Sequence, residues 1–233
     1  MELIFKEGDF IVKALSAHEE MEEAFRLRHD VFCDELKWVP PSPDGLEMDP
    51  YDDFSDLIGV FDPDRRLVGH IRLTASPHPF MVEKEFACIL PEGVEIAKGP
   101  RTSEVTRLCV RKEDRMVRHP VSIPNMLYKG MYQWSLAMGM RVLVIVVDKR
   151  CFRHLRSIGL TVDPLGPFFV MPDGVSASVC YINWDKFERV SSERKPGFLE
   201  WMSTLKAPCP SLSQPHGPYS RRRACARYSA HGT

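Results

Sequence analysis

Apolar and polar positions at the start of the chain predict one helix followed by an irregular loop. Ser16-Ala-His-Glu19 fits a capping box, and apolar residues from Met21 to Phe32 then recur at helical spacing, so the helical region should end near Leu36. Residues 39–56 are rich in Pro, Asp and Gly. That composition predicts an ordered loop rather than a regular element.

An antiparallel meander is predicted next. Two short strands, at residues 57–61 and 66–74, flank an Asp-Pro-Asp turn, and a third strand follows at residues 104–110. An apolar patch between them, around Phe80-Met81 and residues 86–90, favours a short helix.

The second half of the chain alternates helices with strands. Pro124 suits the first turn of a helix that runs to about Met138, and Asp148 can cap another; a glycine follows each helix. Residues 142–147 form a continuous apolar run, as in a strand buried on both faces, and residues 177–184 form a last strand. This order predicts an α/β fold with a mixed sheet and helices on both faces.

Composition is that of an ordinary globular domain: 233 residues, 44% hydrophobic residues and a net charge of −1. So small a charge gives no bulk field that would attract nucleic acid. No run approaches the roughly 20 apolar residues that span a bilayer, and the acidic N-terminus is unlike a signal peptide. We therefore expect a cytoplasmic protein with no nucleic-acid partner and no membrane span.

The composition changes after Ala207, where Pro, Ser, Gly, Arg and His dominate. We expect a single domain over residues 1–206 and a disordered tail over residues 207–233. The basic triplet Arg221-Arg-Arg223 could contact an acidic partner, although a solvated tail is the simpler interpretation.

Seven cysteines are spread along the chain without a Cys-x-x-Cys pair, and no histidine lies at zinc-ligand spacing beside them. We expect reduced thiols and no metal site. Cys151, just inside a predicted helix, is the best candidate for a nucleophile.

Three arginines and three acids stand among apolar neighbours between the first helix and the third meander strand. Charges are rarely buried without a partner, so a matched set suggests one cluster around a polar ligand. Six unrelated surface charges are the simpler alternative. The residues are Arg28, Arg72, Arg107, Asp49, Asp52 and Glu104.

With their surroundings, these residues resemble the acyl-homoserine lactone synthases, the LuxI-type autoinducer synthases of bacterial quorum sensing. The resemblance covers about residues 5–190. Each motif is weak alone, but their order and separations are specific. The motifs are Arg-x-x-x-Phe at Arg28 and Phe32, Trp38, Glu-x-Asp-x-Tyr-Asp from Glu47 to Asp52, Arg72-Leu73, and Glu-x-x-Arg at Glu104 and Arg107.

The resemblance implies a fold similar to the GNAT N-acyltransferases, a three-layer α/β/α sandwich whose mixed sheet is splayed open to admit an acyl-pantetheine chain. It also implies that the amino group of S-adenosylmethionine takes an acyl group from an acyl thioester, carried either on acyl carrier protein (acyl-ACP) or on coenzyme A (acyl-CoA). The methionine carboxylate then attacks its own γ-carbon, which closes a lactone and expels methylthioadenosine. S-adenosylmethionine is a co-substrate, so no resident cofactor is expected.

Glu104 and Arg107 are the predicted catalytic residues. The amine must be neutral to attack a thioester, which requires a proton acceptor, and both the strand pattern and the resemblance offer Glu104. Strand alternation places Glu104 and Thr106 on one face and Arg107 on the other, unless a bulge intervenes. We therefore assign Glu104 to the reaction and Arg107 to holding the N-terminal region over the sheet. A purely structural ion pair is the alternative for Glu104.

The predicted S-adenosylmethionine site combines the charged cluster with an aromatic wall. Phe32 and Trp38 resemble the family's wall, where a π face beside a sulfonium makes physical sense; ordinary core packing is the alternative. Positive side chains could meet the substrate carboxylate, but a structural lock is equally compatible. The predicted residues are Arg28, Phe32, Trp38, Asp49, Asp52, Arg72 and Thr106.

Apolar residues of the second half are predicted to line an acyl slot, although they would look the same in a plain core. These residues are Met126, Trp134, Val146, Val147 and Phe152. The resemblance adds that some relatives carry, at the Val147 position, a threonine that could bond a 3-oxo group. Valine there favours an unsubstituted acyl chain, and a branched or aromatic acyl group stays open.

A basic run follows the buried strand, at Lys149, Arg150, Arg153 and Arg156. In the family a comparable surface meets the acidic carrier protein or the phosphates of coenzyme A; a solvated helix face is the alternative.

Acetyl-coenzyme A-dependent acetyltransferases carry a glycine-rich turn whose amides hold pyrophosphate. Residues 115–124, the corresponding region here, contain no glycine, which weakens the interpretation as a general acetyltransferase. An N-acyltransferase that makes no lactone and a non-catalytic binding module are the alternative functions.

Overall fold

The computed structural model describes residues 3–116, 121–171 and 174–205 of the chain. The strands within them are β1 (Ile4–Glu7), β2 (Phe10–Ala14), β3 (Asp56–Phe61), β4 (Leu67–Ala75), β5 (Thr102–Val110), β6 (Val142–Asp148), β7 (Val162–Pro164), β8 (Phe169–Val170) and β9 (Ser176–Asn183). The α-helices are α1 (His18–Arg28), α2 (Ile123–Met138), α3 (Lys149–Ile158), α4 (Trp184–Arg194) and α5 (Pro196–Ser203). A π-helix (His29–Glu35) continues α1, and short 3-10 helices lie at Pro50–Phe54, Met81–Glu83, Ala87–Ile89 and Lys112–Asp114.

The described strands form one mixed sheet in the order β1-β2-β3-β4-β5-β6-β9-β7, with β8 paired to β9. β5 and β6 are parallel, and their pairing covers Thr102–Val105 and Val142–Ile145. Beyond it β5 runs on to Val110 and β6 to Asp148 without pairing to each other, while β6 stays bonded to β9. The sheet therefore opens between β5 and β6, and the predicted splayed mixed sheet is confirmed.

Helices cover both faces of the sheet. α2 to α5 lie on one face over the largest apolar cluster, and we call this the α2 face. α1 and the π-helix lie on the other face, the α1 face, which carries two separate apolar clusters. One cluster surrounds Phe25 under α1, and the other surrounds Val144 beneath residues 80–96. The strip of sheet between them holds the polar residues of the candidate site.

Several predicted boundaries are confirmed. The helical region ends at Leu36, which caps the π-helix. Gly139 and Gly159 follow α2 and α3 with φ values of 70° and 119°, in the left-handed region that glycine tolerates. Asp148 Oδ1 accepts a hydrogen bond from the backbone N–H of Cys151 at 2.6 Å, so the predicted cap of α3 is confirmed.

The predicted capping box at the start of α1 is wrong. The helix begins at His18 after Ala17, which has no side chain able to cap it, and Glu20 instead accepts a hydrogen bond from the backbone N–H of Ser16 at 3.5 Å. Six strands and helices also escape the sequence patterns: β1 and β2 before α1, β7 and β8 between α3 and the last strand, and α4 and α5 after it. The four strands are too short to show a clear alternation.

No helix of the described residues is both long enough and apolar enough to cross a membrane. The predicted tail, residues 207–233, lies outside the described residues, so the domain boundary stays a prediction.

Candidate active site

Arg28, the last residue of α1, is completely buried. Its Nε donates a hydrogen bond to Glu47, and its terminal nitrogens bind the two oxygens of Asp52 at 2.6 and 3.1 Å. Burial alone would lower the pKa of Arg28, but the carboxylates of Asp52 and Glu47 raise it above its ordinary value. The guanidinium is therefore always charged, and it ties the end of α1 to the loop before β3.

Arg72 projects from β4 toward the same loop and is also completely buried. Its Nη1 donates to Asp49 at 2.5 Å and to Asp52 at 2.8 Å. Its Nε donates to the Thr106 hydroxyl at 2.9 Å. Arg72 therefore connects the loop to strand β5 as well as to β4.

Asp49 and Asp52 have two tasks each, because they also cap the 3-10 helix of the loop. Asp49 accepts a hydrogen bond from the backbone N–H of Tyr51, and Asp52 accepts one from the backbone N–H of Asp49. Burial alone would raise the pKa of Asp52, but the two arginines lower it to about 2. Asp52 is thus ionised at any pH at which the protein is expected to work.

Arg107 reaches this loop because β5 contains a bulge. The register between β5 and β4 shifts at this point, and Arg107 has a φ of 54°, in the left-handed region. Its Nη2 donates to Glu47 and to Asp49, at 2.8 Å each. The expectation that Arg107 faces away from Thr106 is wrong, because the extra residue of the bulge brings both side chains to the α1 face.

Together these residues form what we call the arginine–carboxylate network, which joins α1, the loop before β3, and strands β4 and β5. The structure thus brings the predicted charges together, except that Glu104 lies beside the network rather than in it. Glu47 was not among the predicted site residues, although it is the first acid of the Glu-x-Asp-x-Tyr-Asp motif. The members of the network are Arg28, Arg72, Arg107, Glu47, Asp49 and Asp52.

Glu104 projects from β5 next to the network, and only 1% of the residue is exposed. Its Oε2 accepts a hydrogen bond from the backbone N–H of Met81 at 2.6 Å, and its Oε1 accepts one from Val82 at 2.8 Å. Burial raises the pKa of Glu104 to about 7, although the two amides and the charge of Arg72 lower it. Glu104 has no ion-pair partner among the described residues, so the structural ion pair considered above is not observed.

Phe32 and Trp38 stack on each other beside the network, with ring centroids 6.2 Å apart and an interplanar angle of 25°. The Arg107 guanidinium lies 5.6 Å from the Phe32 ring. Phe32 is buried in the apolar cluster under α1, whereas Trp38 is 52% exposed. The aromatic pair therefore presents Trp38 to solvent and Phe32 to the network.

Val146 and Val147 lie on the part of β6 that has separated from β5. Val146 packs on the α1 face and Val147 on the α2 face, because successive side chains of a strand point to opposite faces. These two predicted slot residues therefore flank the opening of the sheet from its two sides.

The other predicted slot residues all lie on the α2 face, in the same large apolar cluster against which Val147 packs. Met126 on α2 and Phe152 on α3 pack against the large cluster of that face. Trp134, farther along α2, donates a hydrogen bond to Asp56 Oδ2 at 3.0 Å, at the start of β3. Trp134 is therefore anchored at β3, two strands from the opening between β5 and β6.

The predicted basic residues lie on α3, which starts where the opened strand β6 ends. All four are exposed, and within the described ranges none of them pairs with a carboxylate. Lys149 lies 5.7 Å from the Phe168 ring and Arg156 lies 5.5 Å from the Phe152 ring. The unpaired members are Lys149, Arg150, Arg153 and Arg156.

Cys151, in the first turn of α3, does not have the properties of a nucleophile. Burial and the neighbouring Asp148 raise the pKa of its thiol to about 11, whereas a reactive cysteine requires a lowered pKa.

The sequence profile described as "Autoinducer synthase" matches residues 13–171, which is more than half of the chain. The chain belongs to this family. An acyl-homoserine-lactone synthase from Rhizobium radiobacter is 30% identical over 185 residues, which are 76% of this chain and 84% of the relative. The predicted family and the predicted acyltransferase class are therefore confirmed.

Solved structures agree with this autoinducer synthase fold. BjaI, described as a CoA-dependent acyl-homoserine lactone synthase with MTA, superposes with a TM-score of 0.69 at 21% identity, covering 89% of this chain and 93% of BjaI. A putative N-acetyltransferase from Lactobacillus plantarum superposes with a TM-score of 0.53 at 13% identity, covering 75% of this chain and 98% of its own. The predicted GNAT-like α/β fold is therefore confirmed.

Proposed function

We propose that this autoinducer synthase acylates the amino group of S-adenosylmethionine from an acyl thioester and then closes an acyl-homoserine lactone. The ammonium gives one proton to Glu104, the nitrogen attacks the thioester carbonyl, and its second proton leaves with the departing thiol. The carboxylate of the acylated methionine then displaces sulfur from its own γ-carbon, so that methylthioadenosine departs. The observation that carries the proposal is a buried carboxylate, Glu104, whose pKa is raised to about 7.

Glu104 is suited to be the proton acceptor. A general base works best when its pKa lies near the working pH, because it is then both ionised and sufficiently basic. Its two oxygens each accept one backbone hydrogen bond, and each oxygen keeps a second lone pair for a substrate N–H or a bridging water. The same two hydrogen bonds fix the orientation of the carboxylate.

The network acts, in this proposal, as a lock that also forms one edge of the S-adenosylmethionine site. Arg28 and Arg72 are completely buried and satisfied by carboxylates, so they hold α1 and the loop against the sheet. Arg107 and Asp49 keep 13% and 14% of their side chains exposed. We therefore assign contact with the substrate to these two members and to the exposed face of Trp38, where a sulfonium can rest.

The acyl donor enters, in this proposal, where β5 and β6 separate. The opening between the strands, which Val146 and Val147 of β6 line, leads to the start of α3. Unpaired cations on that helix suit an anionic carrier, either the phosphates of coenzyme A or an acidic acyl carrier protein. BjaI is described as CoA-dependent, so acyl-coenzyme A is the first donor to test.

Mass spectrometry of the products tests this function. Incubation with S-adenosylmethionine and a series of acyl-coenzyme A thioesters should give methylthioadenosine and an acyl-homoserine lactone in equal amounts. An N-acyl product without methylthioadenosine would establish the N-acyltransferase that makes no lactone. The protein would be a binding module if it binds S-adenosylmethionine but forms no product with coenzyme A or carrier-protein donors. In that case the Glu104→Gln variant should bind S-adenosylmethionine as well as the wild type does.

Two further properties are proposed with this function. No step uses a metal or a resident cofactor, so dialysis against a chelator should leave the rate unchanged. A cytoplasmic location, which cell fractionation would test, agrees with the use of S-adenosylmethionine and acyl thioesters.

A further inference from the structure

Met81 lies at the junction between Glu104 and the arginine–carboxylate network. Its Sδ accepts hydrogen bonds from Arg72 Nη2 at 2.8 Å and from Arg107 Nη1 at 3.6 Å. Its backbone N–H donates to Glu104 Oε2 at 2.6 Å. The residue is 5% exposed. One residue therefore contacts the carboxylate on one side and two guanidinium groups on the other.

A thioether is a poor partner for a guanidinium group when a carboxylate is close by. Methionine sulfur is a weak acceptor, whereas an ionised carboxylate accepts short, strong hydrogen bonds from a guanidinium group. Arg72 Nη2 has no carboxylate acceptor among the described residues, and Glu104 lies on the neighbouring strand. Glu104 would be the stronger acceptor for Arg72 if Met81 did not occupy the space.

We propose that Met81 is a positioning residue: its side chain prevents an ion pair between Arg72 and Glu104, and its amide holds the Glu104 carboxylate in place. This inference rests on the proposed function of Glu104 as the proton acceptor. A cation within about 4–6 Å lowers the pKa of a carboxyl group by roughly 1–3 units. A direct ion pair would therefore turn Glu104 into a much weaker base, and the thioether keeps it basic.

Other charged and titratable groups also face Glu104, and they do not replace Arg72 in this role. Glu83 lies on the same 3-10 helix as Met81 and raises the pKa of Glu104. The Glu83 carboxylate accepts a hydrogen bond from Lys98 at 2.9 Å. Burial and nearby carboxylates raise the pKa of Tyr51 to about 12, so this phenol stays neutral. Arg72 on β4 is the cation that lowers the pKa of Glu104.

The pH dependence of kcat/KM, which reports titration of the free enzyme, tests the role of Met81. Met81→Ala removes the thioether and its bulk but keeps the backbone N–H, so the acid limb of the profile should move to lower pH by about one unit or more. Met81→Leu restores the bulk and should reverse most of that shift. Val82→Ala is the matched control, because it also truncates a buried side chain and keeps the second amide to Glu104. It should lower stability without moving the acid limb.

Failure of this inference can be told apart from failure of the proposed function. If Glu104→Gln keeps the acid limb, Glu104 is not the titrating base and the proposed function itself is wrong. If Glu104→Gln removes the acid limb, Glu104 is the titrating base. If the acid limbs of Met81→Ala and Val82→Ala then have the same midpoint, Met81 has no positioning role.

A second measurement does not depend on activity or on the folding of the variants at position 81. The ¹³C-methyl resonance of Met81, followed by NMR in the wild type, should shift with the same midpoint as the acid limb, and Glu104→Gln should abolish that shift. A resonance that is constant across this pH range would overturn the inference.

Discussion

Replacement of Glu104 by glutamine separates the effect of a buried charge from the effect of its hydrogen bonds. Glutamine keeps one carbonyl oxygen as an acceptor, but its NH₂ group faces the second of the two amides that now bind the carboxylate. One buried hydrogen bond is therefore lost, which costs about 1–3 kcal/mol. Loss of the buried charge acts in the opposite direction.

The size of the charge effect follows from the pKa of Glu104, which is about 7 in the fold and 4.5 in an unfolded chain. At 1.36 kcal/mol per unit, this difference corresponds to about 3 kcal/mol. Because the folded pKa is raised, Glu104 contributes stability that is complete below about pH 4.5 and is lost as the pH rises through about 7. Glu104→Gln has no such dependence. The stability of the wild type relative to the variant should therefore fall by about 3 kcal/mol across this window.

Urea unfolding of both proteins at a series of pH values measures this difference directly. In the same buffers, release of methylthioadenosine should fall by about 10²–10⁴-fold in the variant, which is the usual contribution of a general base. Parallel stability curves would show that the pKa of Glu104 is not raised. An active variant, or a loss of activity that only follows a loss of melting temperature, would show that Glu104 is structural.

The network and the cap of α3 give three further expectations. Arg28→Met leaves the three carboxylates of the network facing only two arginines and should lower the free energy of unfolding in urea by about 3–5 kcal/mol; a loss of about 1 kcal/mol, as for an exposed pair, would contradict the structural lock. Arginines hold the pKa of Asp52 at about 2 instead of 3.8, so wild-type stability should drop by about 2 kcal/mol as the pH falls through this range. The Asp52→Asn variant should lack that step. Acid-unfolding curves of the same shape for the wild type and the variant would contradict the lowered pKa of Asp52. Asp148→Ala removes the cap on Cys151 and should cost about 1 kcal/mol, whereas Asp148→Asn should recover most of the loss.

The sequence was sufficient to find the charged cluster because its members stand in motifs with fixed separations and apolar surroundings. It was also sufficient for α2, β6 and α3, where a proline, a long apolar run, an aspartate cap and two glycines each mark a boundary. Glu47 was recognisable only as part of its motif. Nothing local shows that its carboxylate would lie between Arg28 and Arg107.

Other features depend on contacts between distant segments, and local patterns do not report them. The bulge at Arg107 places an arginine where glycine is the usual signal, so strict alternation gave the wrong face. Met81 meets the arginines only because residues 76–101 fold back over β5. Trp134 belongs to the same helix as Met126, but its position over β3 follows from how α2 crosses the sheet. Apolar composition alone could not separate a slot from a core.

The additional residue in β5 restricts how this enzyme can diverge. Adding or removing one amino acid between Glu104 and Arg107 would turn one of the two away from the α1 face, where both now contact Met81. The left-handed backbone at Arg107 costs about 1–2 kcal/mol, and its two carboxylate partners compensate for it. Homologues can therefore lengthen or shorten their surface loops freely, but they should keep the same number of residues between the positions of Glu104 and Arg107. A chimera that exchanges only part of β5 should work only if Glu104, Arg107 and the residues between them are transferred together.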